Sequence, residues 1–273
     1  MLRYLRLARV ANAVIIFLSV ECAAILSGAN IAHNGRVLAA AIAASLITVG
    51  GNMRNNLFDI DVLKVNSSRK PAVLAKTAPD HARTISIALI AAGLVISEII
   101  SLPVFIIAVI GSLLIVLYSY KLKPTVFFGN LTVALLAGTT FIYGGAVVND
   151  FRDVYPAALF AFMTNLIREI IKDGKDVEMD KKTGVRTIAT EHGTRFSALL
   201  SIILTIILLA LVWAAYQTKI LPIQFLTVCG LTIFPIGIYI IYLLQSRRSF
   251  SEASFGYKLM MVFGLVALIV GKV

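Results

Sequence analysis

Three aspartates, Asp173, Asp176 and Asp180, stand at i, i+3 and i+7 in the stretch KDGKDVEMDKKTG, residues 172–184. On a helix each residue turns about 100°, so the three carboxylates fall within about 60° on one face. A second polar row, Asn52, Asn55, Asn56 and Asp59, at i, i+3, i+4 and i+7, also shares one helical face. Both rows offer oxygen ligands without Cys or His, which suits Mg2+ or Mn2+ rather than zinc. Mg2+ is commonly held by one or two carboxylates, with water and substrate phosphates completing its octahedron. The predicted chemistry is therefore diphosphate binding through a divalent metal, with Asn55, Asn56, Asp59, Asp173, Asp176 and Asp180 as its ligands. The competing reading is a solvated charged face, because Asp176 and Asp180 repel at i,i+4 unless a cation lies between them.

Cations near both rows favour the metal–diphosphate reading. Arg69, Lys70, Lys76, Lys121, Lys123, Arg168 and Lys172 all fall at the same predicted membrane face. Lys and Arg beside a metal neutralise a diphosphate as its leaving-group charge develops. Asn52, Asn55, Arg69, Lys70, Lys121, Lys123, Asn130 and Arg168 form the candidate diphosphate-binding set. Asp59, Asp176, Lys172 and Tyr118 are the candidate catalytic residues. Two roles stay open. Asn130, in the apolar run GNLTVALLAG, is either a helix–helix hydrogen bond or a cavity-lining ligand. Tyr118 is either an interfacial aromatic or a ring that faces a carbocation. His33, His81 and His192 share no metal-ligand spacing.

The rest of the chain explains where these rows must sit. It has 273 residues, of which 59% are hydrophobic and 14% charged. A soluble domain carries about a quarter charged residues, so this chain has too little polar surface to cover a water-soluble globule. Nine apolar runs are long enough to span a bilayer, at about 10–28, 37–55, 82–100, 102–120, 126–148, 154–172, 196–216, 221–244 and 256–271. The basic, apolar start is expected to be the first of these spans rather than a cleaved leader. Stretches 59–81 and 173–195 read as long loops after the second and sixth runs. With the N-terminus inside, all but four of the 25 Lys and Arg residues (Arg36, Arg152, Lys219 and Lys272) fall on the cytoplasmic side. That asymmetry predicts an odd number of spans and places both polar rows at the cytoplasmic face. It also explains the net charge of +11 without nucleic acid. Cys22 and Cys229 both lie in apolar runs and indicate no disulfide framework.

NNLFDIDVLKVN resembles the first signature, N-D-x-x-D-x-x-x-D, of the UbiA superfamily of intramembrane prenyltransferases. REIIKDGKDVEMDKKTGVRTIA resembles its second, D-x-x-D-x-x-x-D, in the form used by the branch that makes archaeal ether lipids. LYSYKLKPTVFFGNLTVALLAG is similar to the segment that joins helices 4 and 5 in that branch. The resemblance implies an all-α polytopic membrane protein, with nine transmembrane helices in one domain, 1–273, around a central cavity open to lipid. It implies Mg2+ as cofactor, a prenyl diphosphate donor and a lipid-phosphate acceptor, and an integral cytoplasmic-membrane protein whose active site faces the cytoplasm. The implied reaction transfers a geranylgeranyl group, through an allylic carbocation, to geranylgeranylglyceryl phosphate. A quinone precursor or other aromatic acceptor, or a lipid-binding homologue with impaired catalysis, are the alternatives. The first signature departs from the family pattern. Asn56 stands where Asp is usual, Leu63 where a later Asp is expected, and Ser67-Ser68 where Arg-Pro is usual; Asp61 is displaced, and Lys70-Pro71 fits a later basic-Pro position.

Overall fold

The computed structural model describes residues 10–29, 35–66, 79–123, 125–247 and 249–272, and only the helical backbone of 10, 58–66, 183 and 247. These residues are helical almost throughout. The helices are α1 (Val10–Leu26), α2 (Gly35–Asn66), α3 (Pro79–Ile100), α4 (Leu102–Leu117), α5 (Phe128–Val148), α6 (Val154–Thr183), α7 (Ile188–Gln217), α8 (Ile223–Leu231), α9 (Ile233–Tyr242) and α10 (Phe250–Lys272). Two π-helical turns, Tyr118–Leu122 and Leu243–Arg247, extend α4 and α9. Among the described residues, eight segments are long and apolar enough to cross a membrane, with α8, α9 and their π turn forming one of them; α1 is a shorter apolar helix. The nine predicted runs each correspond to one of these segments. Large apolar side chains lie bare on their outer faces, such as Ile99 at 79% and Leu231 at 77% exposure. Such surfaces suit a lipid solvent.

The chain packs as two compact units. The first holds Met1–Lys123 and Thr139–Arg152, and the second holds Pro124–Gly138 and Asp153–Val273. In the first, α2 and α3 run antiparallel and close together, because glycine replaces a side chain at each crossing point. A Cβ on Gly50 would lie 2.7 Å from the Ser86 carbonyl oxygen, and one on Gly93 2.7 Å from that of Ala43. Ser86 Oγ donates to the Gly50 carbonyl at 2.8 Å and fixes the register. In a membrane, where lipid is as apolar as leucine, such close backbone contact is a principal source of helix association. Val20, Val37, Val104, Tyr143 and Val147 fill the core around it. In the second unit, Ala134, Leu166, Ile170 and Ile188 form a core that ties α5, α6 and α7 together.

The stretch 173–195, expected as a loop, is mostly helix. The chain turns polar after Lys172, but polarity ends a span, not a helix; Lys, Glu and Met are good helix formers. α6 therefore runs on to Thr183 and stops at Gly184, whose φ is +71°. There the Val185 and Gly184 amides donate back to the carbonyls of Asp180 (2.9 Å) and Lys181 (3.4 Å), a Schellman ending that favours glycine. α7 begins at Ile188 behind a Thr187–Thr190 capping box and breaks at Gly193, whose φ is +84°. Likewise α2 continues to Asn66, well into the expected 59–81 loop.

Valine at Gly50 or Gly93 forces two backbones apart. Each change is expected to cost about 1–3 kcal/mol and to lower the thermal unfolding midpoint of the detergent-solubilised protein. Gly264→Ala, with nothing within 4 Å of the new Cβ, is expected not to lower it, because alanine is the better helix former.

Candidate active site

The second polar row is built on α6. Pro156 is tolerated because it sits in the first turn, and Ile167, Ile170 and Ile171 are fully buried on the packed side. The helix therefore carries its acids in a fixed direction. Asp173, Asp176 and Asp180 lie on one face, as their spacing predicts, and all three are half-buried. Glu169 precedes them by one turn on the same stripe, so the acids stand at i, i+4, i+7 and i+11. Each has a distinct environment. Asn130 Nδ2, on α5, donates to Asp173 Oδ2 at 2.7 Å. Glu169 accepts from Arg168 Nη1 at 2.8 Å and from Lys172 Nζ at 3.1 Å. Asp176 makes no hydrogen bond or ion pair among the described residues, and Asp180 has a partner of its own.

Gly174 sits in the middle of this stretch for a steric reason. A Cβ there would overlap the ring of Phe250, the first residue of α10. Phe250 is itself buried. Its ring thus packs directly on the backbone between Asp173 and Asp176.

The first polar row lies on α2. Asn55 is buried, and its Oδ1 accepts from Lys123 Nζ at 3.5 Å. Asn52 and Asn56 are half-buried and each has a partner. Asp59 continues the row on the helical backbone, but its side chain, with those of Asp61 and Leu63, lies outside the described residues. Arg69, Lys70 and Lys76 also lie outside them.

The π turn Tyr118–Leu122 separates the two lysines that the sequence grouped. A π turn adds a residue to the helical ladder; here the Lys123 amide donates to the Tyr118 carbonyl, five residues back, at 2.9 Å. Lys123 consequently reaches Asn55. Lys121 instead lines an apolar surface groove of about 450 Å³ with Leu113, Leu117 and Tyr120. Arg54 fastens the turn to α2: its Nη2 donates to the Tyr120 hydroxyl at 2.7 Å, and its Cζ lies 5.4 Å from the ring centre. Tyr118 is half-buried within the turn.

Three residues, Glu169 and Phe250 beside the α6 row and Arg54 beside the α2 row, escaped the sequence reading. Glu169 stands four residues before Asp173, a spacing visible in the sequence. Arg54 and Phe250 carry no local signal; only packing shows them. Among the described residues, no three His, Cys, Asp or Glu side chains cluster as a metal site. The donor chemistry of the α6 stripe still fits a hard divalent ion that takes one or two carboxylates and completes its sphere with water and phosphate.

The sequence pattern of the UbiA prenyltransferase family matches residues 14–265. The chain belongs to the UbiA prenyltransferase family. It is 30% identical, over 270 residues and 98% of each chain, to digeranylgeranylglyceryl phosphate synthase of Methanosphaera stadtmanae. The protein of the same name from Methanopyrus kandleri is 36% identical over 190 residues, 70% of this chain and 69% of that one. A solved structure from work on digeranylgeranylglyceryl phosphate synthase in membranes superimposes with a TM-score of 0.78 at 29% identity, covering 99% of this chain and 97% of that chain. A UbiA homologue from Archaeoglobus fulgidus, bound to GPP and Mg2+, shares the fold with a TM-score of 0.69 at 19% identity, covering 97% of this chain and 99% of that one. This UbiA chain is thus a prenyltransferase and an integral membrane protein.

Gly174→Ala is expected to push α6 and Phe250 apart and to lower prenyl transfer about tenfold, which corresponds to about 1.4 kcal/mol of lost transition-state stabilisation. Adding Phe250→Ala makes room for the new methyl group, so steady-state rates of the double variant should exceed those of Gly174→Ala alone.

Proposed function

We propose that this prenyltransferase moves a geranylgeranyl group from geranylgeranyl diphosphate to the free hydroxyl of geranylgeranylglyceryl phosphate, forming an ether-lipid precursor. The observation that carries the reading is the α6 stripe, in which Asp173, Asp176 and Asp180 adjoin a buried carboxylate that holds Arg168 and Lys172. The name shared by its relatives supports the choice of acceptor. The family pattern, which covers nearly the whole length, supports reading 1–273 as one prenyltransferase domain.

Asp173, Asp176 and Asp180 are the proposed ligands of Mg2+ on α6, and Asn55, Asn56 and Asp59 its proposed ligands on α2. Bound there, Mg2+ supplies positive charge to the oxygens of the diphosphate. The chain's own groups do the rest. Asn130 orients Asp173 by binding one of its two oxygens, leaving the other for a ligand. Arg168 and Lys172 donate hydrogen bonds to phosphate oxygens as negative charge develops on them. Lys123, with Asn52, Arg69 and Lys70, is a further proposed phosphate donor; Lys121, expected in the same set, faces the apolar groove instead. The C1–O bond of the prenyl diphosphate breaks with its electron pair on the diphosphate. The acceptor oxygen then bonds to C1 and gives up its proton, for which the departed diphosphate is the base at hand. Tyr118 is proposed to face the allylic cation with its ring. Apolar walls keep water, a competing nucleophile, away from that cation. The excess of Lys and Arg on one side of the spans supports a cytoplasmic location for this chemistry.

The test is product analysis. Purified protein is incubated with both substrates, with Mg2+ or with EDTA, and the lipids are read by mass spectrometry. A doubly prenylated glyceryl phosphate is expected only with Mg2+. In Asp176→Ala its rate is expected to fall by about 10²-fold or more, as when one preorganised group at a developing charge is removed. Turnover undiminished by EDTA contradicts the metal assignment. A product on an aromatic acceptor, with none on the glyceryl phosphate, contradicts the acceptor.

A further inference from the structure

Among the described residues, Glu169 is buried and no other Asp, Glu, Lys or Arg is. Burying a carboxylate costs several kcal/mol unless it is paired. Among its partners Glu169 has a cation on each oxygen: Oε1 with Arg168 Nη1 at 2.8 Å and Oε2 with Lys172 Nζ at 3.1 Å. Stability does not explain this arrangement, because well-packed apolar side chains commonly replace a buried ion pair without loss. Geometry offers a better reason. Arg168 Nε is buried and has no hydrogen-bond partner. The guanidinium is held by one end, and its Nε–H is presented to an acceptor that the described residues do not supply. Lys172, whose side chain is 42% exposed, would extend into water without its anchor. Glu169 also stands one turn from Asp173 on the stripe of carboxylates.

We propose that Glu169 is a positioning residue for prenyl transfer. It fixes Arg168 and Lys172 as a pair of phosphate donors at the apolar end of the stripe, so that neither must reorganise when charge develops on the leaving group. This rests on the reading that the stripe binds a diphosphate. Neutralising Glu169 has two opposed consequences. The pair loses its fixed geometry, which slows the reaction. The site gains net positive charge, which strengthens its hold on a free phosphate anion.

The experiment is a mutant cycle on the full chain in detergent: wild type, Glu169→Gln, Arg168→Gln/Lys172→Gln, and the triple variant. Turnover with geranylgeranyl diphosphate is measured, and binding of inorganic pyrophosphate is measured separately by calorimetry. Glu169→Gln is expected to lower kcat at least tenfold while binding pyrophosphate about threefold more tightly. Added to the variant that already lacks both cations, it is expected to change either quantity less than twofold. Glu169→Asp, which reaches one cation at a time, is expected to recover part of the lost kcat, and it takes the place of Glu169→Gln in the cycle if that variant fails to fold. Wild-type turnover in Glu169→Gln overturns the proposal. So does an equal fold-loss with and without the two cations, which would make Glu169 a support of the fold alone. If the coupling appears in pyrophosphate binding but no ether lipid is made, the acceptor assignment fails and the role of Glu169 stands.

Discussion

A carboxylate at the end of an apolar helix must be matched by a donor, or it is expelled to water or neutralised. α6 carries four carboxylates on one stripe, and that constraint organises the second unit. Glu169 draws Arg168 and Lys172 inward, and Asp173 recruits Asn130 from α5. Asp176 is left as the acid without such a partner among the described residues. The stripe therefore holds three acids with partners and, between Asp173 and Asp180, one without. An acid so placed suits a ligand that brings its own positive charge.

Backbone packing holds the two rows in place. Gly174 lets Phe250 rest on the helix between Asp173 and Asp176, which couples the stripe to α10. In the first unit, Gly50 and Gly93 bring α2 and α3 into contact just before the amide row begins. The π turn after α4 then aims Lys123 at Asn55, while Arg54 grips Tyr120 from the other side. The donors on α2 are mostly amides, which carry oxygen but no charge. The two rows thus share a helical layout and differ in electrostatics.

Much of this was legible in the sequence because membrane helices obey few rules. Apolar length marked every span, and i, i+3, i+7 spacing placed Asp173, Asp176 and Asp180 on one face before any coordinates. The errors came where two signals coincide in soluble proteins and separate here. A fall in hydropathy was read as the end of a helix at 172 and at 59, yet α2 runs on to Asn66 and α6 to Thr183, where Gly184 stops it. Lys121 and Lys123 read as equivalent, because nothing in their spacing reveals that a π turn points them apart. The clasp of Arg54 on Tyr120 depends on long-range packing and leaves no pattern in the chain. Glu169 does leave such a pattern, its spacing of four residues to Asp173, but its burial and its grip on two cations come from packing.

The carboxylate stripe of α6 is proposed to hold a divalent ion in contact with the diphosphate of the substrate. Mn2+ can stand in for Mg2+ as a paramagnetic reporter. Pulsed electron–nuclear double resonance on the Mn2+-loaded protein, with geranylgeranyl diphosphate added, would read coupling between the metal and phosphorus. A phosphorus coupling typical of direct phosphate ligation, lost in Asp176→Ala, is the predicted result. Bound Mn2+ that shows no phosphorus coupling, or the same coupling in Asp176→Ala, would contradict the account.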